Sequence, residues 1–142
     1  MVAGEMDRQD GGIYFEFEKL DVYQLALEFA DFVFRACKGM HATYKSSLVD
    51  QVQRSVISIA NKIAEGSGKV SRRKKIKYFS YALDSTKECL SPLTIAWRQE
   101  QISEEEYQKG RQYCASICKM LVKLIQSVEA QELSKSGEHH HV

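Results

Sequence analysis

The sequence predicts an all-α protein, an antiparallel up-down-up-down left-handed four-helix bundle. Three observations carry that expectation. Four segments space their apolar residues three and four apart, which places them on one face of a helix. No segment alternates apolar and polar residues for more than a few positions, so no sheet is expected. Proline occurs once in 142 residues, at Pro92, leaving long helices uninterrupted elsewhere. The length suits one domain, and 44% apolar residues can form a core without disulfides or metal.

Residues 1–16 carry Gly4, Gly11 and Gly12 and no period, and read as a flexible arm. Met1–Gly12 is acidic and polar, unlike a signal or transit peptide. The first helix is expected at about 21–38. Asp21 and Gln24 have capping-box spacing, and Leu20 and Leu25 have that of a hydrophobic staple. Its stripe is Val22, Leu25, Phe29, Phe32 and Ala36, and Gly39 is placed to end it in the left-handed region. The second helix, about 47–65, follows Ser46-Ser47. Its stripe is Val49, Val52, Val56, Ile59 and Ile63, and Gly66-Ser67-Gly68 stops it. Its β-branched residues cost only a few tenths of a kcal/mol each in helix propensity, less than the periodicity is worth.

The third helix, about 71–98, carries Ile76, Phe79, Leu83, Thr86, Leu90, Leu93 and Trp97. Pro92 falls inside it, but the stripe keeps phase across the proline, so a kinked helix is predicted. A break at Ser91, with Pro92 opening a new helix, is the alternative. The fourth helix, about 103–132, opens on the capping box Ser103-Glu104-Glu105-Glu106, with Ile102 and Tyr107 as the staple. Its stripe is Tyr107, Gly110, Cys114, Ile117, Leu121, Leu124 and Val128. The bundle thus spans 17–133, and 134–142 is expected to be a disordered tail. The tail's closing histidine run reads as inert or as an expression remnant. Leu27, Phe34, Ile57, Tyr78, Tyr81 and Met120 fall off the stripes and suggest a second buried face, hence self-association.

Chemistry is scarce. Cys37, Cys89, Cys114 and Cys118 form no CxxC pair and sit in apolar stretches, as reduced thiols of a cytoplasmic protein do. Cys114 and Cys118 lie one turn apart, but no third or fourth metal ligand accompanies them. A di-iron bundle needs Glu-x-x-His pairs, and the chain has none; its one histidine outside the tail is His41, in a loop. A nucleophile would need a placed histidine base. Gly66-Ser67-Gly68-Lys69 follows a helix rather than a strand and lacks phosphate-loop spacing. The expectation is no enzyme, no cofactor, no metal and no membrane span.

Charge is more informative. Residues 45–98 hold eleven Lys/Arg against four Asp/Glu, net +7, while the rest of the chain is −6. Within Lys69–Lys77 six of nine residues are cations: Lys69, Arg72, Arg73, Lys74, Lys75 and Lys77. They crowd the start of the third helix, where the dipole disfavours positive charge by about 0.3–1 kcal/mol each at low salt. The fourth helix places acids in its first turn, so the departure in the third points to function. A polyanion would gain from it, with Arg54 and Lys62 as further contributors and Tyr78 and Tyr81 available to stack on bases. The bland alternative is a solvated basic turn. A second candidate is the polar stripe Gln51, Arg54, Ser58, Asn61 and Glu65, rich in short and amide side chains, which suggests a packed polar interface or a recognition face.

Three segments resemble the four-helix bundle proteins of the 23S rRNA intervening-sequence family. They are Phe17-Glu-Lys-Leu20-Asp-Val22-Tyr23, the run Gln53-Arg54-Ser55-Val56-Ile57-Ser58-Ile59-Ala60-Asn61-Lys62-Ile63-Ala64-Glu65-Gly66-Ser67-Gly68, and Ser71. The likeness covers roughly residues 15–130, and Asn61-x-Ile63-Ala64-Glu65-Gly66 is its most specific part. The loop Lys38–Lys45 lacks the family's usual Phe-Pro, and Pro92 is unusual in the third helix. The resemblance implies a ring-shaped homopentamer. It extends to the accessory variability determinant of diversity-generating retroelements, a relative that binds nucleic acid and a reverse transcriptase through basic surfaces. The expected function is a non-enzymatic, homo-oligomeric RNP or retroelement accessory protein binding RNA or DNA. The alternative is a scaffold that docks an acidic protein partner without touching nucleic acid.

Overall fold

The computed structural model describes residues 12–140, with side chains over 12–131. Most of the expected N-terminal arm therefore lies outside the described residues. Every regular element within them is helical. The main helices are α1 (Asp21–Lys38), α2 (Asp50–Ser67), α3 (Arg72–Glu88), α4 (Leu90–Arg98) and α5 (Glu104–His140). Since α4 continues α3 after a one-residue interruption, the fold is four long helical runs. The first run packs against α2 and α5, α2 against α1 and α3, and α3 against α2 and α5, while α4 lies on α5. The core sits between them, around Phe29, Val33, Val52, Val56, Ile59, Ile63, Leu93, Ile117 and Leu121. Each such side chain contributes about 1.5–3 kcal/mol by leaving water.

A short 3-10 turn, Glu16–Lys19, precedes α1. It displaces the expected capping box: Leu20 is the N-cap, and no side chain caps the helix. The Gln24 amide instead donates to the Glu18 carbonyl at 2.9 Å, an acceptor that the preceding turn brings into reach. At the other end Gly39 is not left-handed; its φ is −85° and its ψ −8°. The Gly39 and Met40 N–H groups close the last turn on the Ala36 and Cys37 carbonyls at 3.2 and 3.1 Å. The chain therefore needs no positive φ there.

A 3-10 turn Ala42–Tyr44 and a π-helical turn Lys45–Val49 lead into α2. The wider turn keeps Leu48 buried ahead of Val52. The stripe of α2 is as read from the sequence from Val52 onward, with Val49 only half-buried. Helical backbone carries through Gly66 and Ser67 and stops at Gly68. Gly66 is thus an interior residue of α2 rather than part of its stop.

The inward face of α3 and α4 differs from the expected stripe. Phe79, Ala82, Thr86, Cys89, Leu93 and Ala96 are buried, whereas Leu83 and Leu90 are half-buried and Trp97 is exposed. The spacing is still three and four, but at alternate positions the smaller neighbour faces in. Small residues let α2 and α5 approach closely, and the larger ones cover the flanks. Buried hydroxyls are satisfied: Ser58 and Ser85 pair at 2.9 Å, and the Thr86 hydroxyl donates to the Ala82 carbonyl at 2.8 Å.

Pro92 lies inside α4, and the helix is interrupted three residues upstream of it rather than at Ser91. The interruption falls at Cys89, whose φ of −70° and ψ of −25° stay right-handed. Proline has no N–H for the Glu88 carbonyl, and its ring crowds that turn, which accounts for an interruption just upstream. The run ends in a Schellman motif: Gln101 N–H reaches the Ala96 carbonyl at 2.8 Å, and Glu100 N–H the Trp97 carbonyl at 3.0 Å. The C′ residue is Glu100, with φ 58°. Trp97 lies flat on Tyr107, with centroids 4.6 Å apart and planes 1° apart.

The capping box of α5 forms in both halves. Ser103 Oγ accepts from Glu106 N–H at 3.0 Å, and Glu106 Oε1 accepts from Ser103 N–H at 2.9 Å. Its stripe is buried as read, apart from a half-buried Leu124. The helix does not end near residue 132; its backbone continues to His140. No proline interrupts Gln131–His140, and the one glycine there, Gly137, costs only about 1 kcal/mol against alanine.

Candidate nucleic-acid interface

The basic segment forms the end of the fold where α2 hands over to α3. Ser71 is the N-cap of α3, and its hydroxyl accepts from Lys74 N–H at 3.4 Å. Gly68 N–H and Lys69 N–H close on the Ala64 and Gly66 carbonyls, each at 3.2 Å. Lys75 then reaches back across the turn, its Nζ donating to the Ser67 carbonyl at 2.8 Å. A cation on a helix's last carbonyls is favourable electrostatically as well as by hydrogen bonding. The connection is held at several points and presents its cations on a fixed frame.

The structure divides the expected phosphate ligands. Arg73, Lys74 and Lys77 are exposed, and Arg72 is half-buried. Lys69 sits over the Tyr78 ring at 4.9 Å. Lys62 joins from α2, 5.8 Å from the same ring, and pairs with Glu65 at 3.6 Å. Lys75 is engaged as the cap of α2. Arg54 is not brought to this end: it is paired with Asp50 at 3.1 Å, about 18 Å up the helix from Gly66 at 1.5 Å per residue. The basic end therefore gathers Lys62, Lys69, Arg72, Arg73, Lys74, Lys75 and Lys77, but not Arg54.

The polar stripe of α2 also divides. Gln51, Arg54, Asn61 and Glu65 are exposed, while Ser58 is half-buried on Ser85 and Gly66 is buried. A β-carbon at Gly66 would stand 2.7 and 2.8 Å from ring carbons of Phe79 and 3.1 Å from Tyr78 Cβ. Gly66 therefore lets α3 close on α2, and it sets where Tyr78 and its two lysines sit. The sequence marked Gly66 as a motif residue without showing this contact.

Tyr78 and Tyr81 meet edge to face, with centroids 5.8 Å apart and planes at 84°. Lys77 lies 5.9 Å from the Tyr81 ring. The tip residue Val70 is 99% exposed. Such a surface can hold anionic groups on its cations and offers aromatic faces beside them.

Elsewhere, the candidate chemical groups have structural partners. The His41 ring caps the turn that follows it, accepting from Thr43 N–H at 3.1 Å, and its backbone N–H donates to Gln101 Oε1 at 2.8 Å. Cys37, Cys89 and Cys114 are buried and Cys118 half-buried, and none is bridged. Burial pushes the Cys114 thiol up to about 12, and burial, with the neighbouring Cys114 thiol, also raises Cys89. An open groove of about 580 Å³ at the start of α2 is lined by Ala42, Lys45, Ser46, Val49, Asp50 and Gln53. Among the described residues no helix is long and apolar enough to cross a membrane, and no three His, Cys, Asp or Glu side chains are grouped to hold a metal.

Among the described residues the fold is an all-helical protein of four long runs. The chain belongs to the 23S rRNA-intervening sequence protein family, whose model matches residues 18–123. It is similar to a crystal structure of a protein of unknown function from the S23 ribosomal protein family of Bacteroides thetaiotaomicron. The two are 28% identical, with a TM-score of 0.68 over 74% of this chain and 95% of that one. No curated protein matches.

Proposed function

We propose that this chain is a non-enzymatic, cytoplasmic, self-assembling bundle that binds nucleic acid through its basic end, as an accessory protein of an RNP or a retroelement. The observation that carries the reading is the cationic set Arg72, Arg73, Lys74 and Lys77 on a connection fixed by its own hydrogen bonds. Cations at a helix start are unfavourable for the helix, and phosphate relieves that penalty. The neighbour order α1–α2–α3–α5 and the short connections support the up-down-up-down, left-handed arrangement. Exposed Phe34, Ile57, Ile95 and Trp97 support assembly, and the family resemblance suggests a ring of five. A ring would repeat the basic end, so weak contacts would add.

The same basic end supports a second reading, a scaffold that docks an acidic protein partner, such as an acidic polymerase surface, without touching nucleic acid. Filter binding of RNA and DNA at low salt separates the two. The first reading expects low-micromolar, sequence-poor binding that weakens with salt and is lost in Arg72→Glu with Arg73→Glu. No affinity at low salt, or affinity indifferent to that double change, sinks it. Capture of a protein partner after nuclease treatment supports the second.

A further inference from the structure

Resting on the nucleic-acid reading, we infer that the ligand of the basic end is single-stranded, with a base stacked on Tyr81 and its flanking phosphates on Arg72, Arg73, Lys74 and Lys77. The structure gives the two tyrosines different tasks. Tyr78 is half-buried, with Lys62 and Lys69 over its ring and its Cβ against the glycine gap at Gly66. It is a strut between α2 and α3. Tyr81 is 41% exposed and held edge-on by Tyr78, so its ring is oriented and still open.

Lys77 stands 5.9 Å from the Tyr81 ring, at the outer limit of a cation–π contact, on an exposed flexible stem. It can leave the ring for a phosphate as a base arrives. In a duplex each base is stacked between its neighbours and only its edges are reachable through the grooves, so the aromatic surface is unused. An unpaired base has a free π-face and uses it.

Charge limits the length of the site. Asp84, three residues beyond Tyr81, is exposed on the same side of α3, and Glu88 follows one turn later. A strand continuing past Tyr81 meets these carboxylates, so it runs back toward the start of α3. The footprint from Arg72 to Tyr81 is about 14 Å of helix, enough for only a few nucleotides. Lys75 is committed to Ser67 and Lys69 to Tyr78, which leaves Arg72, Arg73, Lys74 and Lys77 for phosphate. Four phosphates on a single strand give a log–log salt slope of about −3.

The test is fluorescence anisotropy with labelled oligo(dT) and a labelled duplex of equal length, at matched salt. The expected result is oligo(dT) binding about tenfold tighter than the duplex, a preference removed in Tyr81→Ala and kept in Tyr81→Phe. Tyr81 is exposed, so both variants should fold, and circular dichroism checks this. A duplex bound as tightly as oligo(dT), or Tyr81→Ala with unchanged oligo(dT) affinity, overturns the single-strand inference and leaves the basic-end reading standing. Binding of neither probe at low salt ends both.

Discussion

Replacing Gly66 with alanine measures what holds α3 against α2. The new methyl carbon would stand 2.7 and 2.8 Å from Phe79 ring carbons and 3.1 Å from Tyr78 Cβ. Relaxed carbon contacts lie at about 3.5–4.0 Å. Phe79 is 2% exposed, so its ring has little room to retreat. Overpacking of this kind costs about 1–3 kcal/mol. Alanine returns about 1 kcal/mol of helix propensity, because Gly66 lies inside α2. With contacts below 3 Å on a buried ring the cost falls in the upper part of that range, about 2–3 kcal/mol, so the net expectation is a loss of about 1–2 kcal/mol, a fall in Tm of roughly 3–8 °C. Gly68 provides the contrast: its φ is −81°, and the nearest atoms to an added carbon are the Ala64 and Glu65 carbonyl oxygens at 3.7 Å. Gly68→Ala should be neutral or slightly stabilising, by up to about 1 kcal/mol. Urea melts followed by circular dichroism compare both variants and the pair Gly66→Ala with Phe79→Leu. The smaller leucine makes room, so the pair should lose less than the two single losses added together. A Gly66→Ala protein as stable as the parent would refute the idea that the missing side chain sets this helix contact.

Two further changes separate structural from ligand-binding roles. Lys75→Met removes the donor on the Ser67 carbonyl and should cost about 1 kcal/mol, while Lys74→Met, with the same loss of charge, should leave the melt unchanged or raise it slightly, because a cation leaves the first turn of α3, and should weaken oligonucleotide binding; equal effects on both measurements would contradict the division. Glu100→Gly relieves a left-handed residue at φ 58° and should raise stability by about 0.5–1 kcal/mol in a thermal melt, whereas a drop would mean that the glutamate carries a compensating contact.

The sequence was most legible where large apolar residues keep a single phase. The α5 stripe from Tyr107 to Val128 was readable for that reason, as was its capping box, whose residues are all local. The α3 face was misread by one position at alternate turns, because binary patterning favours Leu83, Leu90 and Trp97 over the smaller Ala82, Cys89 and Ala96. Which neighbour faces in is decided by how close α2 and α5 come, and that is a tertiary quantity. The start of α1 at Asp21 was read correctly, but its capping box was not, for a similar reason: the 3-10 turn ahead of it supplies the Glu18 carbonyl that Gln24 uses. The basic end was visible as composition, but its division of labour was not. Nothing in the spacing from Ser67 to Lys75 announces a hydrogen bond, and Arg54 and Lys62 look alike until α2 is folded against α3.

The short connection between α2 and α3 also bears on how the chain assembles. The contact between these two helices is the most extensive in the fold, and only Gly68–Ser71 separates them in sequence. The entropy lost in closing a loop grows with its length, so this pair meets at low cost, whereas α1 meets α5 across most of the chain. The basic end thus belongs to a hairpin whose contacts are close in sequence. Its residues have all been synthesised by the end of α3, before any of the α5 stripe exists. The surface offered to a ligand is therefore specified by one hairpin, and the rest of the bundle serves to keep that hairpin from opening.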